Sequence, residues 1–342
     1  MRIEDFDYNL PGDLIAQTPI EPRDSARLLV DQGTLNQPLH RQVKNFVEFC
    51  EPGDVIVVND TKVIPARIRL VRKSGGAAEV LLLEQSASTP SLWEALIRPA
   101  KRLKTGEVLF AADGRELVEI GERTLAGDTF VIKLRCQSQS ELEEMLMQYG
   151  EMPLPPYITA PLTASDRYQT VYANRPASAA APTAGLHFTP TLIEALKSMG
   201  VNFLTVDLTV GLDTFAPVTE ENPLNHPMHS EHYRVDAKTL EACAKANRVI
   251  AIGTTATRAL ESAASTGVLE GRTKMFISRG YEFKVVDLLL TNFHMPRTTL
   301  LMMIEAFVGP RWRDLYSTAI AERYRMLSFG DAMLLNRRLY SR

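Results

Sequence analysis

The Pro-rich passage "MPLPPYITAPL", residues 152–162, separates two stretches of chain with different hydrophobic periods. Proline fixes φ and removes an amide donor, so neither a helix nor a central strand runs through it, and it reads as a linker or crossing segment. Before it, from about residue 55 to 136, short β-rich runs follow one another: "DVIVVN", "ARIRLVR", "AEVLLLE", "LWEALIRP", "EVLFA" and "FVIKLRC". Turns such as "KSGGA" and "AADGR" separate them, a pattern that predicts a small barrel or sandwich, and "SELEEMLMQYG" then reads as a helix. After the passage, "FLTVDLTV", "RVIAIG" and "FKVVDLLL" read as buried strands alternating with the helical stretches "TPTLIEALKSMG", "AKTLEACAKAN", "ATRALESAAS" and "TTLLMMIEAF". The predicted fold class is α/β, a mostly parallel sheet domain with an inserted small β-barrel domain. The sheet domain is expected to be discontinuous, 1–60 plus 150–342, with the barrel at 61–149.

A chain of 342 residues exceeds the length at which single cores stop growing, which supports two domains. Its 45% hydrophobic and 23% charged residues match soluble globular usage. The longest apolar runs are about half of a membrane span, and the acidic N-terminus "MRIEDFDYNLPGDL" lacks a targeting core, so no membrane association and a cytosolic location are expected. Cys50, Cys136 and Cys243 are far apart with no CxxC, which points to buried structural thiols rather than a disulfide, zinc or iron–sulfur site. A net charge of −3 argues against a nonspecific nucleic-acid coat, since phosphate affinity needs clustered cations. Two local clusters stand out: Arg67, Arg69, Arg72 and Lys73, and Arg98, Lys101, Arg102 and Lys104. Taken alone they read as a solvated face.

In open α/β sheets ligands gather where strand ends meet helix N-termini. Three stretches fit: Gly253, Thr254 and Thr255 in "RVIAIGTTATRALES"; Asn292, His294 and Arg297 in "VVDLLLTNFHMPRTTLL"; and Thr183, Gly185 and His187 in "SAAAPTAGLHFTPTLIEALKSMG", where Thr189 is a predicted N-cap ahead of Pro190. Each alone also reads as a cap or a satisfied core residue. A fourth stretch, Asp207, Thr209 and Asp213 around Gly211, with His226, His229, Glu231 and His232 following, lacks firm metal-ligand spacing and reads better as a polar loop; no metal site is expected. Glu305, alone in an apolar run, calls for a partner such as Arg258 or Arg297. No GxGxxG after a strand, P-loop, GxSxG or HExxH occurs, which lowers the common dehydrogenases, nucleotide hydrolases, α/β hydrolases and zinc proteases.

Together, "DYNLPGDLIAQTPIEPRDSARLLV", "VVNDTKVIPARI", "AAPTAGLHFT", "VGLDTF", "GTTATRALES", "TNFHMPRTTLLMMIEAFVG" and "SFGDAMLL" resemble the S-adenosylmethionine:tRNA ribosyltransferase-isomerase family of queuosine biosynthesis, in order and over essentially the whole chain. The resemblance implies transfer and isomerisation of the ribosyl unit of S-adenosylmethionine onto 7-aminomethyl-7-deazaguanine at a tRNA wobble position. Epoxyqueuosine would form, with release of adenine and methionine. It implies no cofactor, because S-adenosylmethionine is consumed, and as partners the tRNA anticodon loop and S-adenosylmethionine. The sequence gives no oligomeric state, and a monomer is only a working expectation. On this reading His187 and His294 handle protons, with Asp207, Asp213 or Glu231 favouring the sulfonium. Asn292, Thr254 and Thr255 hold ribose or adenine, and Arg258 or Arg297 holds the methionine carboxylate. Thr183, Gly185, Gly211 and Gly253 belong to the substrate loops, and the two basic clusters hold the tRNA stem. The chain departs from the family pattern at Asp207, Thr209, Asp213 and Arg279, which motivates an alternative, a catalytically impaired paralogue that binds tRNA or S-adenosylmethionine without turnover. A methyltransferase is a third reading, disfavoured by the missing glycine-rich loop.

Overall fold

The structure is a computed structural model, and it describes residues 1–86, 88–124, 129–162, 164–178, 180–209, 217–228 and 230–340. In chain order the first strands are β1 (Arg27–Val30), β2 (Leu39–Gln42), β3 (Val55–Asn59) and β4 (Thr61–Val63). There follow β5 (Arg67–Arg72), β6 (Ala77–Gln85), β7 (Leu92–Arg98), β8 (Val108–Phe110), β9 (Glu116–Arg123), β10 (Phe130–Leu134), helix α1 (Gln139–Tyr149) and β11 (Gly150–Glu151). The remainder comprises β12 (Arg175–Ser178), α2 (Pro190–Ser198), β13 (Asn202–Leu208), β14 (Glu231–Arg234), α3 (Ala237–Lys245), β15 (Val249–Ile252) and α4 (Gly253–Thr266). It ends with β16 (Glu270–Thr273), β17 (Leu288–Asn292), α5 (Thr299–Val308), α6 (Trp312–Ala321) and β18 (Ala332–Asn336). Two compact units result: residues 1–61, 155–175 and 182–342 in one, and 62–154 with 176–181 in the other.

The first unit is built on a nine-stranded sheet in the order β16-β14-β13-β3-β15-β17-β18-β1-β2. Parallel pairing holds its centre, from β13 through β3 and β15 to β17, and recurs between β18 and β1; the remaining neighbours are antiparallel. The sheet is therefore mixed, parallel where it is most buried. Every residue of β3, β15 and β17 is buried, which explains their continuous apolar runs: strands covered on both faces have no solvent side to alternate with. One face packs on Phe46, Phe188, Leu192 and Leu196, and the other carries α4. Residues 253–263 of α4 are all buried, so its polar members need partners. Glu261 is fully buried and accepts the backbone N–H groups of Lys284 (2.8 Å), Val285 (3.0 Å) and Val286 (3.0 Å) as well as the Tyr281 hydroxyl (3.1 Å). Those amides are why "FKVV" is not strand: β17 starts only at Leu288.

The second unit holds a closed antiparallel barrel, β5-β6-β7-β10-β9-β8 with β8 returning to β5. Its strands alternate, β10 reading buried-exposed-buried-exposed-buried, as a barrel with one packed side requires. Gly150 and Glu151 pair with Ile68 and Arg67 as a short extra strand, which carries this unit past residue 149. A Cβ at Gly150 would meet the Pro65 carbonyl at 2.1 Å, so that approach requires glycine. Cys50 and Cys243 are buried and Cys136 is half-buried, all as free thiols.

Replacing Glu261 with Ala removes the acceptor of three backbone amides. We expect a loss of about 3–5 kcal/mol in unfolding free energy, with Glu261→Gln milder. Urea denaturation measures this, and a loss below about 1 kcal/mol would refute the assigned role.

Candidate active site

The parallel strands are in register at their C-terminal ends: Val206 lies opposite Asn59, and Ile252 opposite both Val58 and Leu290. The chain leaves them at Asp60, Thr209, Gly253 and Phe293, so these loops share one rim. β18 and β1 enter at the same rim, Ala332 lying opposite Asn292 and Leu28. Gly253 turns the chain from β15 into α4 at φ +89, a conformation that L side chains resist. A 3-10 helix, Thr183–His187, packs against β17 and α4. It leads to α2 through Thr189, whose hydroxyl accepts from the Leu192 amide, with Pro190 first in the helix, as the sequence predicts.

Thr183 Oγ1 donates to Asn292 Oδ1 at 2.9 Å, and Asn292 Nδ2 donates both to His187 Nε2 (3.2 Å) and to the Asp331 carbonyl (3.3 Å). Because a carbonyl only accepts, Nδ2 is fixed as donor, His187 Nε2 as acceptor, and the imidazole proton sits on Nδ1. Burial pushes the His187 pKa down to about 4, so the ring is neutral at pH 7. Gly185 makes the helix possible: a Cβ there would lie 1.9 Å from the Tyr172 hydroxyl oxygen. Arg23 pins the same segment, donating to the carbonyls of Gln169 (2.7 Å) and Leu186 (3.3 Å).

His294 occupies a different place. Its Nε2 meets Thr291 Oγ1 at 3.1 Å, its amide donates to the Tyr316 hydroxyl oxygen at 2.9 Å, and its carbonyl accepts from Tyr8 at 2.5 Å. Successive strand residues point to opposite faces, so Thr291 and Asn292 send their imidazole partners to opposite sides of the sheet. Burial lowers the His294 pKa to about 3, and it raises those of Tyr8 and Tyr316.

The remaining expected site residues divide. Arg258 is buried in an ion pair with Glu231, while its Nε and Nη2 meet no hydrogen-bond partner among the described residues. Burial lowers its pKa to about 10. Thr254 and Thr255 are buried at the start of α4, and Thr255 Oγ1 has no hydrogen-bond partner among the described residues. Arg297 is exposed and turned to Asp7, its Nε at 2.9 Å, with a positive φ of 57. Glu305 pairs with neither Arg258 nor Arg297 but with Arg279, at 2.6 Å, because α5 buries Glu305 where the 274–283 segment can reach it. Asp207 is buried 3.6 Å from Arg175. Gly211, Asp213 and His229 lie outside the described residues. His226 instead meets Glu220 (2.8 Å) and His232 meets Glu270 (3.5 Å).

In the barrel unit, Arg67, Arg69 and Arg72 are held by carboxylates: Glu79 at 3.9 Å, Glu151 at 2.9 Å, and Glu107 at 2.6 Å through a two-point contact. Lys73, Arg98, Lys101, Arg102 and Lys104 are exposed. Sequence reasoning missed Asp60, Tyr172, Arg175 and Asp331 at the rim of the sheet. The Asn59-Asp60 pair closing "DVIVVND" carried the same signal as Asn292, polar residues at the end of a buried strand.

Residues 3–335 match the model of the queuosine biosynthesis protein family. The chain belongs to this family. The S-adenosylmethionine:tRNA ribosyltransferase-isomerase of Carboxydothermus hydrogenoformans is 47% identical, over 98% of this chain and 100% of the relative. The enzyme of the same name from Staphylococcus epidermidis is 44% identical over the same shares. The crystal structure of the S-adenosylmethionine tRNA ribosyltransferase of Thermotoga maritima is similar at 35% identity, with a TM-score of 0.54, over 96% of this chain and 99% of that one.

The two histidines make a pH signature expected of this family member. Each has a folded pKa below the ordinary value of 6.5, so the folded state binds fewer protons than the unfolded one beneath that pH. Their contribution is complete above about pH 6.5 and is lost toward pH 4 for His187 and pH 3 for His294, on the order of 1 kcal/mol per pH unit each. Thermal melting from pH 7 to 5 is expected to be less pH-sensitive in His187→Gln than in the unmodified protein; identical slopes would contradict the buried neutral ring.

Proposed function

We propose that this chain is an S-adenosylmethionine:tRNA ribosyltransferase-isomerase of queuosine biosynthesis. It would transfer the ribosyl unit of S-adenosylmethionine to 7-aminomethyl-7-deazaguanine at the tRNA wobble position. The observation that carries this reading is the family match over residues 3–335. It is supported by a strand-end rim furnished with neutral imidazole, amide and hydroxyl groups rather than with a phosphate-binding glycine loop. S-Adenosylmethionine is a consumed substrate in this reading and no resident cofactor is called for.

The groups divide by what each is free to do. His187 is neutral at working pH and is oriented by Asn292, so it is suited to take or hand on a proton through a short relay once substrate displaces the Asn292 amide. His294, locked among Thr291, Tyr8 and Tyr316, is better suited to hold the loop than to exchange protons. Arg258, with two guanidinium nitrogens unpartnered among the described residues, is the better anchor for the methionine carboxylate than Arg297, which Asp7 already occupies. An anticodon base is already unpaired, so drawing it into the rim costs less than extraction from a duplex. The exposed Lys73, Arg98, Lys101, Arg102 and Lys104 are the groups left to meet tRNA phosphates, since their arginine neighbours on β5 are neutralised.

Incubation with S-adenosylmethionine and tRNA bearing the aminomethyl-deazaguanine tests the assignment: adenine release is expected. S-Adenosylhomocysteine would signify a methyltransferase, and binding without product an impaired paralogue. His187→Ala is expected to reduce turnover at least about a hundredfold, and wild-type turnover in both His187→Ala and His294→Ala would remove the histidines from the chemistry. The double change Lys101→Glu, Arg102→Glu is expected to raise the KM for tRNA and flatten its salt dependence while leaving the KM for S-adenosylmethionine unchanged; an unaltered tRNA KM would exclude this face.

A further inference from the structure

Two carboxylates meet at the end of β3 and β13. The Asp60 amide donates to the Val206 carbonyl at 3.0 Å, which sets Asp60 beside Asp207. Both side chains are buried, Asp60 at 5% exposure and Asp207 at 8%. Arg175 stands 3.6 Å from Asp207, outside hydrogen-bond distance and itself 38% exposed, His232 and Arg234 of β14 act on Asp207 from farther off, and the Thr205 hydroxyl supports Asp60. Asp207 Oδ1 and the Tyr172 hydroxyl are both buried without a hydrogen-bond partner among the described residues. Tyr172 is close enough to Asp60 for that carboxylate to oppose its ionisation, and its hydroxyl lies against Gly185. Burial raises the pKa of both aspartates, against the opposing pull of Arg175 on each and of His232 and Arg234 on Asp207.

The cluster lies on the same sheet face as the His187 network. Asp60 is in step with Ile56 and Val58, Asp207 with Phe203, and Asn292 with Leu288 and Leu290, all packed in one core. Phe203 meets Tyr172 edge to face, with ring centroids 5.7 Å apart, which ties this corner to the segment over Gly185.

We propose that Asp60 and Asp207, with the Tyr172 hydroxyl, form a binding site for a primary ammonium group of the substrate. An ammonium supplies both things the corner lacks, a positive charge in hydrogen-bond contact with the carboxylates and several N–H donors in a compact head. A sulfonium supplies charge but no donor, and it would leave Asp207 Oδ1 unsatisfied. A neutral hydroxyl supplies a donor and no charge. Resting on the function proposed above, two substrate groups have this chemistry: the α-ammonium of S-adenosylmethionine and the aminomethyl group of the deazaguanine.

Equilibrium binding separates them. In one arm, S-adenosylmethionine and its desamino analogue are titrated into the unmodified protein, Asp60→Asn and Asp207→Asn, without tRNA. In the other, tRNA bearing the aminomethyl base is compared with tRNA bearing the base without its amine. The expected result is that both variants weaken the amine-bearing ligand of one arm at least tenfold and leave its amine-free counterpart unchanged; the responding arm names the source. Equal weakening of both members of each pair, or of neither, overturns the proposal. Because burying an under-compensated carboxylate opposes folding, Asp60→Asn is also expected to raise the Tm of the free protein, and a lowered Tm overturns the assignment of Asp60 to the ligand. Adenine release with no discrimination of amines refutes this site alone. Discrimination without adenine release refutes the proposed reaction and leaves the site standing.

Discussion

Parallel strands buried on both faces have nowhere to put polar groups except at their ends, and the α/β unit is organised around that restriction. β3, β15 and β17 carry apolar side chains outward in both directions, so Asn59, Asp60, Gly253, Thr254 and Asn292 crowd the rim where the strands stop. There, amides and carbonyls released from the ladder must find partners, and the partners are side chains able to act on a ligand. Helix α4 obeys the same restriction from outside the sheet. Its buried Arg258, Glu261 and Ser262 each take up a group from a different segment, Glu231, the 284–286 amides and Thr273.

The barrel unit satisfies its polar groups in the opposite manner. Its strands have a wet side, so charge is placed by alternation and neutralised between strands, with Arg67 of β5 paired to Glu79 of β6 and Arg69 to Glu151 of β11. A count of lysines and arginines in "RIRLVRK" overstates the field they project, because carboxylates that come from β6, β11 and the turn before β8 lie far away in sequence.

Features governed by neighbouring residues were legible in the sequence. The start of α2 at Thr189 and Pro190, the turn at Gly253, the core strands and the alternating barrel strands all follow from caps, periods and glycine conformation. What stayed hidden depends on distant pairing. β14 "EHYR" and β16 "EGRT" are too short and polar to be read as strands, and they exist because each completes the other beside β13. The insertion of β18 between β17 and β1, antiparallel to the first and parallel to the second, leaves no local mark. Nor does the choice of Arg279 as the partner of Glu305, since the two are brought together only when α5 is packed. Within the site, the strand-end loops were recognisable, whereas the corner at Asp60, Tyr172, Arg175 and Asp207 needed three separate segments to converge.

Adjacent residues Thr291 and Asn292 give β17 the character of a bulkhead. The imidazoles of His187 and His294 are kept in separate compartments, one facing Asn292 and Asp331, the other facing Thr291 and the tyrosines. A disturbance on one side reaches the other only through the backbone of a single strand that is hydrogen-bonded along both edges. Such a partition lets one side be reshaped by a ligand while the other keeps its geometry, and it makes the two histidines independent parts rather than members of one relay.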